Sequence, residues 1–197
     1  MKTGLFFGTF NPIHNGHLQI ANYMANETDL DEVWLVVSPQ NPLKQNDELL
    51  SDKHRLAMVK LAAKQHKNLK ASDVEFHLPK PSYTFLTLQD LLHIHPEREF
   101  VLIIGEDNLR SFHKWKNYDQ ILSQFEIYVY PRKKQENESS KPFDYSLQSN
   151  VKLFDVLLLE ISSSEIREAI GRGGDVTKYF PFEVDHYIQE RGFYRIL

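Results

Sequence analysis

The chain of 197 residues contains no cysteine, which excludes disulfide bonds, thiolate zinc sites and cysteine nucleophiles together. It also lacks a long apolar run. No stretch approaches the roughly 20 apolar residues that span a bilayer, and the apolar part of the amino terminus is too short for a signal peptide. Positive charge is not in excess either, because the net charge is −4 and the pI is near 6.1. We therefore expect a cytoplasmic protein whose partners include neither a nucleic acid nor a membrane.

The pattern of apolar residues indicates an α/β protein. Short apolar runs that are typical of buried parallel strands recur at 5–7, 33–37, 100–104, 127–130 and 156–159. Apolar residues at helical spacing lie between them, at 17–26, 51–66 and 83–93. This alternation predicts βαβ units and a doubly wound, Rossmann-like parallel sheet. We expect one domain over 1–197, with a small helical carboxyl-terminal portion from about 162 and a polar surface loop at 132–149.

The loop after the first strand is the first candidate site. It reads Gly8-Thr9-Phe10-Asn11-Pro12-Ile13-His14-Asn15-Gly16-His17 and opens the first helix, so backbone amides and the helix dipole would face an anion there. It matches neither the dinucleotide fingerprint nor the Walker A pattern. His14 and His17 could each donate a hydrogen bond to one phosphate group. A metal pair, which would need a third ligand, and helix capping are the alternatives.

This loop resembles the HxGH signature of a nucleotidyltransferase superfamily. The string GTFNPIHNGHL is similar to the bacterial nicotinate-nucleotide adenylyltransferases in particular, and the resemblance runs over nearly the whole chain. It implies transfer of the adenylyl group of ATP to nicotinate mononucleotide, giving deamido-NAD and pyrophosphate. It further implies a Mg²⁺ cofactor that is held mainly by ATP phosphates and water. In this loop, the resemblance assigns an acceptor contact to Asn11 and ATP contacts to Gly8, Thr9, Phe10, His14 and His17.

A second anchor lies near the carboxyl end, in Ser162-Ser163-Ser164-Glu165-Ile166-Arg167. Ser162 followed by Glu165 predicts a capping box at a helix start. Arg167 in the first turns could reach an anion that is held by free amides and hydroxyls. In the resembled family, I-S-S-T-x-I-R holds the ATP triphosphate, which implies ATP contacts for Ser162, Ser163 and Arg167. Ser164 replaces the family's threonine and keeps the hydroxyl.

Several loops between these anchors suit an acceptor nucleotide. Lys44, after the second strand, offers an ammonium group to a phosphate near the reaction, and a solvated surface lysine is the alternative. Leu43 departs here from the family's P-P-H-K. Tyr83 and Thr84 resemble the family's S-Y-T, which contacts the pyridine acid group, with a plain helix start as the alternative. Leu86 stands where the family often has aspartate and receives no role.

Two further residues complete the predicted site. Asp107 follows the strand at 100–104 and could accept hydrogen bonds from ribose hydroxyls, as the family's G-x-D supports, so we assign it to ATP binding. Trp115 lies among polar residues and could stack on a pyridine ring, with packing on the sheet as the alternative.

The predicted catalytic set is His14, His17, Lys44 and Arg167, with no general base, because a nucleotide phosphate is already largely dianionic near neutral pH. Nicotinamide mononucleotide and pantetheine phosphate are the competing acceptors, and a module that binds NAD-like ligands without turnover is the competing class. The oligomeric state, a homo-oligomer included, is left open.

Overall fold

The structure is a computed structural model, and it describes residues 1–39, 49–132 and 148–195. Within these residues it confirms the doubly wound sheet. Six strands pair in parallel in the order β3-β2-β1-β4-β5-β6. Their bounds are β1 (Lys2–Gly8), β2 (Glu32–Val37), β3 (Leu69–Ser72), β4 (Glu99–Gly105), β5 (Glu126–Tyr130) and β6 (Val151–Leu153).

Helices cover both faces of this sheet. They are α1 (Asn15–Glu27), α2 (Asp52–Ala63), α3 (Thr84–Ile94), α4 (Glu106–Arg110), α5 (Tyr118–Gln124), α6 (Ser163–Gly171) and α7 (Phe182–Arg191). Short 3-10 turns occur at Val74–His77, Phe112–Lys114 and Thr177–Tyr179. Neighbouring residues of β1 belong to opposite cores. Phe6 lies in the core that contains residues of α1, α2, α6 and α7, whereas Leu5 lies in the core that contains residues of α3, α4 and α5. The near-continuous apolar strands are explained by this burial on both faces.

Four of the five predicted strands are confirmed, and the strand predicted at 156–159 is wrong. The sheet edge is formed earlier, because Val151 to Leu153 pairs with β5. In the predicted segment, Val156 is buried but Leu157 is 82% exposed and Leu159 is 51% exposed, so the apolar run does not enter the sheet. The strand β3 was not predicted, because Leu69-Lys70-Ala71-Ser72 is short and only Leu69 is buried.

The predicted helices at 17–26, 51–66 and 83–93 correspond to α1, α2 and α3, and the carboxyl-terminal part of the chain contains α6 and α7. Gly173 separates α6 from α7 with a φ of 73°, which a glycine adopts without strain. The interior of the predicted surface loop, 133–147, lies outside the described residues. None of the helices in the described part of the chain is long and apolar enough to cross a membrane.

The strand order places a topological switch point between β1 and β4. Connections from these central strands lead to opposite faces of the sheet, which opens a crevice at their carboxyl ends. Gly8 and Gly105 end the two strands, so the loops that follow them border the crevice. The sheet therefore brings the predicted phosphate loop and Asp107 to the same edge.

Candidate active site

His14 and His17 form a capping box at the start of α1, in which the ring of each histidine accepts a backbone hydrogen bond. The Nδ1 atom of His14 accepts a hydrogen bond from the backbone N–H of Gly16 at 3.1 Å. The Nδ1 atom of His17 accepts one from the backbone N–H of His14 at 3.3 Å. The ring centroids are 3.8 Å apart. Helix capping by these histidines is therefore confirmed, and it uses only one nitrogen of each ring.

These hydrogen bonds and the desolvation of the two rings determine the protonation state of His14 and His17. Burial lowers the pKa of His14 to about 4, and the positive charge of Arg132 acts in the same direction. Burial likewise lowers the pKa of His17 well below 6.5, with His14 and Arg132 as further causes. Both rings are therefore neutral at pH 7. A neutral imidazole whose Nδ1 accepts a hydrogen bond carries its proton on Nε2. Each histidine thus offers one N–H donor, which suits a phosphate oxygen and not a metal ion.

Two glycines allow the rings to pack in this way. A Cβ atom on Gly16 would lie 3.0 Å from the ring of His14, which explains the glycine between the two histidines. A Cβ atom on Gly8 would lie 2.8 Å from the ring of Phe10. Phe10 is 1% exposed, and its ring packs edge-on against His17 with 5.1 Å between centroids. Contacts of Phe10 with ATP would therefore involve its backbone, while its side chain supports His17.

Arg55, which the sequence did not mark as a site residue, holds the two neighbouring loops together. Its side chain is fully buried on α2 and pairs with Asp52. Its guanidinium donates to four backbone carbonyls, those of Thr9 at 2.5 Å, Ser38 at 2.8 Å, Leu50 at 2.9 Å and Pro39 at 3.1 Å. Thr9 belongs to the phosphate loop and Ser38 to the loop after β2. A signal was available in the sequence, because Arg55 occupies the buried helix face of Met58, Val59 and Ala62.

Asn11 joins the phosphate loop to the carboxyl-terminal part of the chain. Its side-chain oxygen accepts hydrogen bonds from the backbone N–H of Leu50 at 3.3 Å and from the hydroxyl of Tyr194 at 2.9 Å. Its backbone carbonyl accepts one from Arg167 at 2.9 Å. Asn11 is therefore a structural junction in this arrangement, and its contact with the acceptor stays a prediction.

The start of α6 docks on the phosphate loop. The capping box of Ser162 and Glu165 is confirmed, with Glu165 N–H donating to Ser162 Oγ at 3.2 Å and Ser162 N–H donating to Glu165 Oε2 at 2.8 Å. The hydroxyl of Ser163 donates to the carbonyl of Pro12 at 3.0 Å, beside the contact of Arg167 with Asn11. Two anchors more than 140 positions apart in the sequence are thus brought together.

The predicted acceptor residues lie on two segments that also meet. Tyr83 is the N-cap of α3 and Thr84 is the first residue of that helix. Trp115 follows the turn Phe112–Lys114, and the Nζ atom of the next residue, Lys116, lies 4.5 Å from the ring centroid of Tyr83. Trp115 packs against Phe112 with 5.2 Å between ring centroids and is only partly buried. Packing on neighbouring residues is therefore confirmed for Trp115, and its stacking on a pyridine ring stays a prediction.

Asp107 lies in the first turn of α4, immediately beyond the carboxyl end of β4, and is exposed. That position borders the crevice, as expected for a residue that binds ribose hydroxyls. Lys44 lies outside the described residues.

Comparison with known proteins gives a consistent family. A family model described as cytidylyltransferase-like matches residues 5–169. A protein of Flavobacterium johnsoniae named "Probable nicotinate-nucleotide adenylyltransferase" is 49% identical over 99% of this chain and its own full length. A relative in Cytophaga hutchinsonii with the same name is 48% identical over 98% of both chains.

Solved structures show the same fold at low sequence identity. The Plasmodium falciparum nicotinic acid mononucleotide adenylyltransferase complexed with NaAD superposes with a TM-score of 0.80 at 20% identity, covering 98% of this chain and 97% of that one. The same enzyme complexed with APC gives a TM-score of 0.78 at 19% identity, covering 98% and 96%.

Proposed function

The chain belongs to the cytidylyltransferase-like family, in the group of the nicotinate-nucleotide adenylyltransferases, and from this membership we propose its reaction. It transfers the adenylyl group of ATP to nicotinate mononucleotide, releasing pyrophosphate and forming deamido-NAD, a step of NAD biosynthesis. The observation that supports the proposal is that the Nδ1 atoms of His14 and His17 both accept backbone hydrogen bonds, which leaves each Nε2–H as the donor. Arg167 at the α6 anchor bonds to the same loop through the carbonyl of Asn11.

The mechanism requires positioning and charge stabilisation. The acceptor phosphate has a second pKa of about 6 and is therefore already a nucleophile near neutral pH. It attacks the α-phosphorus of ATP, a new P–O bond forms, and the bond to the β-phosphate oxygen breaks as pyrophosphate leaves. His14 and His17 donate their Nε2–H groups to the α-phosphate oxygens, on which negative charge accumulates. Because both rings are neutral and held by backbone hydrogen bonds to Nδ1, they act as fixed hydrogen-bond donors and transfer no proton.

Cationic side chains would hold the rest of the triphosphate. The guanidinium of Arg167 lies at the start of α6, whose first-turn amides also favour an anion. Arg167 keeps its Nε atom buried, and no hydrogen-bond partner for that atom occurs among the described residues. We propose that Arg167 and the free backbone N–H groups of the first turn of α6, which starts at Ser163 beside its N-cap Ser162, bind the β- and γ-phosphates, and that Lys44 binds near the reacting phosphate.

Mg²⁺ is proposed as the cofactor, and it would arrive bound to ATP. The two histidines do not fit as its ligands, because their Nδ1 lone pairs already accept backbone hydrogen bonds. Triphosphate oxygens and water are the ligands that Mg²⁺ prefers in such sites, and the ion would neutralise phosphate charge there. Activity should disappear on adding excess EDTA and return with excess MgCl₂.

The acceptor site is proposed from Tyr83, Thr84 and Trp115. The first amides of α3, those of Thr84 and Phe85, precede Leu86, whose N–H is the first to donate back to the N-cap carbonyl of Tyr83, so they are available to a carboxylate. Trp115 would stack on the pyridine ring, and Asp107 would bind a ribose of ATP across the crevice.

The direct test is identification of the products. Purified protein is incubated with ATP, MgCl₂ and nicotinate mononucleotide, and the products are separated by chromatography and identified by mass. Deamido-NAD and pyrophosphate in equal amounts are expected. ATP hydrolysis without deamido-NAD, or tight ligand binding without any product, would contradict the proposal and favour the non-catalytic binding module.

A further inference from the structure

A buried carboxyl group lies behind the start of α3. Glu75 is in the 3-10 turn Val74–His77 and is only 2% exposed. Its Oε1 atom accepts a hydrogen bond from the hydroxyl of Thr87 at 2.9 Å, and its Oε2 atom accepts one from the hydroxyl of Ser82 at 3.1 Å. Both partners are themselves buried. Each oxygen of Glu75 therefore has its own hydroxyl donor, as a buried carboxyl group requires.

The two donors flank the predicted acceptor residues. Ser82 immediately precedes Tyr83, and Thr87 lies one turn into α3, where its hydroxyl is also 3.4 Å from the carbonyl of Tyr83. Glu75 thus ties both ends of the segment 82–87 to a single point. The N-cap residue, Tyr83, makes no side-chain cap hydrogen bond of its own. The orientation of the first-turn amides therefore depends on the anchor that Glu75 provides.

We propose that Glu75 is a positioning residue for the acceptor: it fixes the start of α3 so that the amides of Tyr83 and Thr84 meet the acid group of the pyridine ring. The proposal rests on the function proposed above. It predicts that Glu75 acts on the acceptor and leaves ATP binding unchanged, because its hydroxyl partners belong to the α3 side of the sheet and the histidine pair belongs to α1.

Glu75→Gln is the first variant to measure. Glutamine keeps the shape of the side chain, but its amide nitrogen cannot accept a hydrogen bond, so one of the two hydroxyls loses its acceptor. Losing one such buried bond should lower kcat/KM for nicotinate mononucleotide by about tenfold. The change should lie mainly in the KM for that acceptor, while the KM for ATP stays within about twofold of the wild-type value.

Thr87 supplies a matched pair of variants that leaves Glu75 in place. Thr87→Ser keeps the hydroxyl, whereas Thr87→Val keeps the shape and removes it. We expect Thr87→Val to raise the acceptor KM as Glu75→Gln does. Thr87→Ser should keep the acceptor KM near the wild-type value. A merely structural role would instead lower the melting temperature of Glu75→Gln and Thr87→Val and change their KM values for the acceptor and for ATP alike. That result would overturn the proposal.

Direct binding keeps this test independent of turnover. The Kd of nicotinate mononucleotide is measured by calorimetry for wild type and for Glu75→Gln. Wild-type protein that binds the acceptor without forming product would refute the proposed function, yet a Kd about tenfold weaker in the variant would still support the role of Glu75. An equal Kd in both proteins would refute that role.

Discussion

Protonation of His14 should destabilise the folded protein at mildly acidic pH. Burial lowers its pKa from the ordinary 6.5 to about 4. Between these two values the unfolded chain binds a proton that the folded protein excludes. The contribution of His14 is therefore fully present above about pH 6.5 and is lost as the pH falls towards 4.

The magnitude follows from the size of this shift. A pKa difference of about 2.5 corresponds to about 3 kcal/mol in the free energy of unfolding once the whole range is crossed. Between pH 7 and pH 5, His14 alone should account for a loss of about 2 kcal/mol. His17 is shifted in the same direction and adds to the loss in the wild-type protein.

Urea denaturation at pH 7 and pH 5 measures this effect. His14→Asn is the comparison, because asparagine is a good N-cap and does not titrate. The wild-type protein should lose about 2 kcal/mol more than the variant between the two pH values. Equal losses in both proteins would show that His14 titrates normally in the folded state. That result would refute the lowered pKa of His14, and with it the desolvated environment that burial of its ring provides.

Three substitutions test other parts of the site. His17→Ala should lower kcat by about 10²–10³ while the Kd for ATP changes far less, and an unchanged kcat would remove His17 from the mechanism. Arg55→Leu should cost about 3–5 kcal/mol in urea denaturation, because it removes the buried ion pair with Asp52 and the donor to four backbone carbonyls. Lys53→Leu on the exposed face of the same helix should be nearly neutral. Trp115→Leu should raise the KM for nicotinate mononucleotide about tenfold and leave that for ATP unchanged; equal changes in both would exclude stacking on the acceptor.

The sequence predicted the parts of the fold that local patterns encode. Phe100 to Ile104 is buried on both faces, and such an apolar run predicts a central parallel strand. The capping box at Ser162 and the anion-binding loop before α1 could likewise be predicted, because capping and anion binding depend on a few consecutive residues. The edge strand β6 could not be predicted in this way. Val151 to Leu153 has only three residues and none of them is fully buried, and the more apolar run at 156–159 lies outside the sheet.

The contacts that organise the site were hidden for a different reason. Tyr194 and Asn11 are 183 positions apart, and no local pattern relates them. Arg55 acts through backbone carbonyls, which carry no sequence signature at the receiving positions. Glu75 was inconspicuous because acidic residues are usually solvated, and only its burial beside Ser82 and Thr87 shows otherwise.

The most direct test of the account is the choice of acceptor. Pyrophosphate release from ATP and Mg²⁺ is measured with nicotinate mononucleotide, nicotinamide mononucleotide and pantetheine phosphate offered separately, and kcat/KM is compared. We expect the highest kcat/KM with nicotinate mononucleotide, by at least about tenfold, since the amides at the start of α3 favour a carboxylate. A higher value with pantetheine phosphate, or no release with any of the three, would contradict it.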